Sequence, residues 1–228
     1  MNIITYTLKL ESGAEHHFEV DLDRTAPQPG NTEASPSEWT RLETHQCSNC
    51  PLDVSTHPYC PAALDTKVIA EKFKDIMSIE RVDVVVTTNN RTYSKNCDLQ
   101  TALRSLFGLV MATGGCPILG RMKPLAHFHL PFATLDETVF RLVGAYLMKQ
   151  RLLHRDGTGE PDWDLKGIED LYAQLQTLNS HFMKRIRDAS REDANFNALH
   201  IFVSSSSLIG EYLDETLCEI NDLVSEGL

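Results

Sequence analysis

The sequence predicts an α+β fold, with a small antiparallel β region of hairpins followed by a mostly helical C-terminal half containing an antiparallel helix pair. Three observations predict it. Apolar residues alternate with polar ones near the N-terminus and again around Val84, the period of a half-buried strand. After Asp98 the apolar spacing changes to three and four residues and stays there. Glycine and asparagine pairs punctuate the alternating segments where hairpin turns belong.

The first hairpin spans Ile3 to Asp21. Ile4, Tyr6, Leu8 and Leu10 alternate on one arm, Phe18, Val20 and Leu22 on the other, and Glu11-Ser12-Gly13-Ala14 supplies the turn. Thr25 to Ser37 is rich in Pro, Gly, Asn and Ser and reads as a surface loop. Trp39 and Leu42 are expected to form a short strand leading into a cysteine-rich segment. Leu64 to Ile76 reads as a helix, with Leu64, Val68, Ile69, Phe73 and Ile76 on one side. The second hairpin runs from Val82-Asp83-Val84-Val85-Val86 through Asn89-Asn90 to Thr92-Tyr93.

Four helices are expected beyond Asp98. The first covers Leu99 to Ala112 and stops at Gly114-Gly115. The second starts at Thr134, three residues before Glu137, which is the spacing of a capping box, and runs to about His154. The third starts near Asp164 and carries Leu165, Ile168, Leu171, Leu175, Leu178, Phe182 and Ile186. The last starts near Asp193, with Leu199, Phe202, Ile209, Leu213, Leu217 and Ile220 on its inner stripe and the small residues Ser204 to Ser207 allowing close approach. The last two are expected to pack as an antiparallel hairpin. Residues 1–228 are read as a single domain, with a β-rich part over 1–96 and a helical part over 97–228.

The formal net charge of −11 opposes phosphate backbones, so no nucleic-acid binding is expected. The N-terminus lacks the basic and apolar regions of a secretory signal, and no apolar run reaches the roughly 20 residues that span a bilayer. A cytoplasmic protein without membrane association is expected. In that compartment its six cysteines should be thiols or metal ligands rather than disulfides. The common phosphate-binding and nucleophile-elbow motifs are absent.

The chemistry-bearing segment reads His45-Gln46-Cys47-Ser48-Asn49-Cys50-Pro51-Leu52, then His57-Pro58-Tyr59-Cys60-Pro61. A C-x2-C pair can grip one ion from a single turn, and Cys60 can add a third vertex. Cys116, in Gly114-Gly115-Cys116-Pro117, is the leading fourth ligand, with His57, Cys97, His45 and His127 as substitutes. Zinc is favoured over an iron–sulfur cluster, because proline after cysteine suits either but the ferredoxin spacing is missing. Two readings compete with a metal: buried packed thiols, and a Cys47/Cys50 redox pair.

A second segment is Ala126-His127-Phe128-His129-Leu130-Pro131-Phe132. If extended, it aims His127 and His129 at one face, with Asp136 and Glu137 close behind, as a small catalytic metal site would need. The competing reading is a buried connection whose histidines bond to backbone carbonyls. Arg141, Tyr146, Lys149 and Arg151 share the following helix. The basic group Lys184, Arg185, Arg187 and Arg191 is expected to complement a helix C-terminus rather than bind anions.

The Cys47-x2-Cys50-Pro51-Leu52, Cys60-Pro61-Ala62, Gly115-Cys116-Pro117 and His127-Phe128-His129-Leu130-Pro131-Phe132-Ala133-Thr134 motifs together resemble those of an uncharacterised family of bacterial proteins. The resemblance covers most of the chain and implies one intact unit in a bacterial cytoplasm, with no activity to carry over. The expected function is a cysteine-ligated metal site in a structural, interaction or regulatory protein, acting as a homodimer or with a protein partner. The alternative is a metalloenzyme or an iron–sulfur redox or sensor protein.

Overall fold

The computed structural model describes residues 2–25 and 37–226. Strands β1 (Ile3–Leu10), β2 (Glu15–Asp21), β3 (Arg81–Thr87) and β4 (Thr92–Asp98) form one antiparallel sheet in the order β2-β1-β3-β4. Both hairpins are present. Gly13 holds the first turn with φ of 86°, a conformation that favours glycine. Thr88 donates to the Arg91 carbonyl oxygen at 2.8 Å from N to O to close the second. The alternation places Ile4, Tyr6, Leu8, Leu10, Val20, Val82, Val84 and Val86 in the core.

Helices α1 (Pro61–Phe73) and α2 (Leu99–Ala112) pack at the sheet, Phe73 meeting Phe18 with ring centroids 6.0 Å apart. Helix α1 starts three residues before Leu64 because Pro61 is at home in the first turn, where its missing N–H has no partner to lose. It is followed by α3 (Lys123–His127), α4 (Leu135–Arg155), α5 (Lys166–Ala189), α6 (Ala194–Glu211), α7 (Leu213–Glu219) and α8 (Asn221–Ser225). The capping box of α4 is complete: Thr134 Oγ1 accepts from the Glu137 amide, and Glu137 accepts from the Thr134 amide. Helices α5 and α6 run antiparallel. Tyr172 near the start of α5 lies against Gly210 near the end of α6, where a Cβ would stand 3.2 Å from that of Tyr172. Buried apolar residues of the sheet, α1, α2, α5 and α6 form one contiguous core.

Two expectations need correction. No strand forms at Trp39–Leu42. Glu38–Thr40 is a 3-10 turn in which Thr40 bonds to the Ser37 carbonyl, and only Arg41 makes a bridge, to Tyr59. The carbonyls of Trp39, Arg41 and Leu42 are taken by a side chain, Arg185, which leaves no ladder to build. The last helix is also not continuous. Tyr212 leaves helical geometry (φ −130°, ψ 32°), so the inner stripe read through to Ile220 is interrupted and Cys218 is exposed rather than buried. The Pro- and Ser-rich loop expected over Thr25–Ser37 lies almost wholly outside the described residues.

Candidate metal centre

Three separate segments bring four cysteines to one place. Cys47 and Cys50 lie on a tight turn closed by Cys50 N–H donating to the Cys47 carbonyl at 3.0 Å. That turn is pinned to α5 by Asn49 Nδ2, which donates to the Gln174 carbonyl at 3.0 Å. Cys60 precedes Pro61 as the N-cap of α1, and its own amide donates to Thr40 at 2.8 Å. Cys116 follows the glycine pair that ends α2. Those glycines are required by close approach: a Cβ on Gly114 would lie 2.2 Å from Asp65 Oδ2, and one on Gly115 would lie 3.3 Å from the Pro61 ring. The end of α2 therefore presses onto the start of α1 and carries Cys116 to Cys60. A buried Arg24–Asp65 ion pair fastens this junction, with Arg24 also donating to the Val110 carbonyl at 2.8 Å.

Cys47, Cys50, Cys60 and Cys116 line a single cavity of about 20 Å³, otherwise walled mainly by Leu42, Leu178 and Phe182. This is the scale of one small sphere rather than of four irons with their sulfides. The thiols sense one another's charge. Burial first, then the charges of Cys60, Cys50 and Cys116, push Cys47 up to about 12. Burial likewise raises Cys116 to about 11 and raises Cys60. Two groups oppose this. The amide N–H groups of Ala62 and Ala63 point at Cys60, and those of Leu119 and Ile118 point at Cys116. The Cys60-Pro61 and Cys116-Pro117 steps thus each turn the second and third following amides back on the sulfur, an arrangement that stabilises thiolate.

The other opposing group is Arg185, which lowers the pKa of Cys47 and Cys60. Arg185 is 1% exposed and lines the cavity. It donates to the carbonyls of Trp39 (2.8 Å), Arg41 (2.5 Å) and Leu42 (2.8 Å), while its Nε has no partner. Among the described residues no carboxylate pairs with it. The sequence reading assigned Arg185 to a surface cluster at a helix end. The signal was its position: it follows Phe182 by three residues, in step with the buried stripe of α5.

Among the described residues, no group of three or more His, Cys, Asp and Glu side chains is arranged to hold a metal ion. The four thiols share cavity walls, and Cys47 Sγ turns aside toward the Leu178 carbonyl at 3.9 Å. The substitute ligands lie elsewhere. His57 is exposed and bonds to Thr56 at 2.9 Å, His45 bonds to Asp188 at 2.8 Å, and Cys97 is buried on β4. A reactive redox pair requires a lowered thiol pKa, and burial drives Cys47 the opposite way.

His127 and His129 do not face together. The segment is not extended, because α3 runs through His127, with Pro124 in its first turn. His127 turns outward toward Asp23, at 3.6 Å, while His129 points inward to Tyr6, its Nε2 lying 2.6 Å from the hydroxyl. Tyr6 also meets Ser105 Oγ at 2.7 Å, and Ser105 Oγ accepts the Phe132 N–H at 3.3 Å. Tyr6 thus bridges Ser105 and His129. Asp136 and Glu137 sit in the first turn of α4, with Glu137 serving the cap.

No helix of the described residues is long and apolar enough to cross a membrane. Neither the curated proteins nor the solved structures contain a match to this chain. One family model does match, over residues 4–224, and so spans the sheet, all four cysteines of the cavity and the helices α1 to α7. The chain belongs to the family described as a domain of unknown function, DUF6901.

Proposed function

We propose that Cys47, Cys50, Cys60 and Cys116 bind one zinc ion as thiolates, and that this ion staples the β-rich and helical parts of an interaction or regulatory protein. The observation that carries this reading is the matched pair of Cys-Pro turns, each aiming two amides at its sulfur, beside the buried cation Arg185. A tetrathiolate zinc site has a net charge of −2, and a buried guanidinium with no carboxylate offsets half of it. Binding requires the thiols to close around a common centre, with Cys47 turning from the Leu178 carbonyl. Four protein ligands make the site structural rather than catalytic. Free thiols of this kind belong in a reducing, cytoplasmic setting. A protein partner or second copy suits α4, whose outer face leaves Phe140 60% and Met148 66% exposed.

The test is elemental analysis and visible absorption of protein purified without oxygen. One zinc per chain is expected, and cobalt substitution should give the intense thiolate-to-metal bands of a tetrahedral site. Cys116→Ser should lose the metal and lower the melting temperature, whereas Cys218→Ser should do neither. Iron with visible colour would replace zinc by a cluster, and metal-free protein that takes up no cobalt would reduce the site to packed thiols.

A further inference from the structure

A second cavity lies away from the cysteines. It has a volume of about 480 Å³ and opens to solvent between α2, α4, α6 and the segment around His129. Sites for small molecules span about 300–1,000 Å³. Its lining is mostly apolar, with Leu109, Phe202 and Ile209 among its walls. The polar groups at its surface have one sign. Lys95, Arg104 and Arg141 line it, and no aspartate or glutamate does, in a chain whose formal net charge is −11.

Among the described residues none of these cations makes an ion pair. Among the described residues Arg104 makes no ion pair or side-chain hydrogen bond, although it is half-buried. Arg141 gives Nη2 to the carbonyls of Leu125 and Phe128, both at 2.6 Å, its buried Nε has no partner, and the Glu137 carboxylate acts on its charge without forming an ion pair. Lys95 stands over the Phe132 ring at 5.4 Å. His129, also on the wall, ends the hydrogen-bond chain that links Phe132, Ser105 and Tyr6. Partly desolvated cations in an apolar hollow attract an anion far more strongly than they do in water.

From this juxtaposition we infer that the cavity is a binding site for an amphipathic anion, an apolar chain ending in a carboxylate or phosphate head held by Arg104, Arg141 and His129. The apolar chain lies along α2 and α6. The site is separate from the cysteine cavity and does not depend on a metal.

The experiment is calorimetric titration of the full chain with decanoate, decyl phosphate, hexanoate, decanol and decyltrimethylammonium, all below their micelle concentrations. Decanoate or decyl phosphate should bind saturably at one site, and whichever binds more tightly identifies the head. Decanol and the ammonium compound should bind at least tenfold more weakly. Hexanoate should fall behind decanoate by about fourfold per methylene lost. Arg104→Gln, at a residue that makes no ion pair, should weaken the anions about tenfold and leave decanol unchanged. Gly108→Leu should weaken all the ten-carbon ligands without lowering the melting temperature. A Cβ at Gly108 meets only the Phe202 ring, at 3.5 Å, so the added side chain begins in ordinary contact at the cavity wall. Equal affinity for decanol and decanoate, displacement by inorganic phosphate as readily as by decyl phosphate, or binding indifferent to both substitutions would overturn the assignment. So would the absence of saturable binding.

Discussion

Burial, and then the charge of Arg141, lowers the pKa of His129 to about 3, against about 6.5 in an unfolded chain. Between those values the unfolded chain binds a proton that the folded one refuses, so stability is full above pH 6.5 and declines as pH falls. The loss from pH 7 to pH 5 is about 2 kcal/mol. Urea unfolding at the two pH values should show it, and His129→Gln should remove most of the difference. An unchanged difference would mean that His129 takes up a proton without resistance. His16 and His181, lowered chiefly by burial, act in the same direction and account for the remainder. At this scale the sequence was informative about residue type and weak about direction. Cysteine spacing and the following prolines singled out the four thiols that share a cavity. Only its step with the buried stripe of α5 distinguished Arg185, which points inward, from Arg187, which lies over the Phe196 ring at 4.8 Å. That distinction depends on which carbonyls another segment leaves open.

Elements whose signals are local were legible almost to the residue. The capping box at Thr134 and the two hairpin turns need only their own neighbours. Thr134→Ala should therefore cost about 1 kcal/mol in denaturant unfolding, since it strands an amide at the first turn of α4. Leu175→Asp is a harsher test of the α5–α6 pair. Leu175 is 2% exposed, and an unpaired carboxylate there should destabilise by about 4 kcal/mol or more, read as aggregation or a lost unfolding transition. An unchanged transition would put that face outside the core. The break at Tyr212 was not legible, because the apolar spacing continues across it while the backbone does not. The short path of Trp39–Leu42 was misread for a related reason: a tertiary contact from α5 replaces the ladder that a strand would have needed.

For the molecule as a whole, the charge distribution is more telling than its sum. The basic group near the end of α5 shrinks once Arg185 is counted as interior, and Arg191 pairs with Asp75 at 3.5 Å. Against a formal net charge of −11, what remains is expected not to hold a duplex. Fluorescence anisotropy with DNA and RNA at low salt, where charge effects are largest, should give no affinity tighter than about 100 μM. Tighter binding abolished by reversing Lys184 and Arg187 would refute this. The fold class was readable because the apolar spacing turns helical at Asp98 and stays so. The large cavity was not, because its walls come from segments as far apart as Lys95 and Ile209.

The sheet order also fixes how the chain has to assemble. Each hairpin joins neighbours in sequence and can close within microseconds. The central seam is different: it pairs Thr5 with Thr87, and everything between them, including the cysteine turn and α1, must be looped out before it gains a hydrogen bond. Association of two ready-made ribbons across that loop is therefore the slow event in building the sheet. Mutations at Thr7 or Val85, which face each other on the seam, should slow refolding more than equally destabilising changes at the hairpin turns.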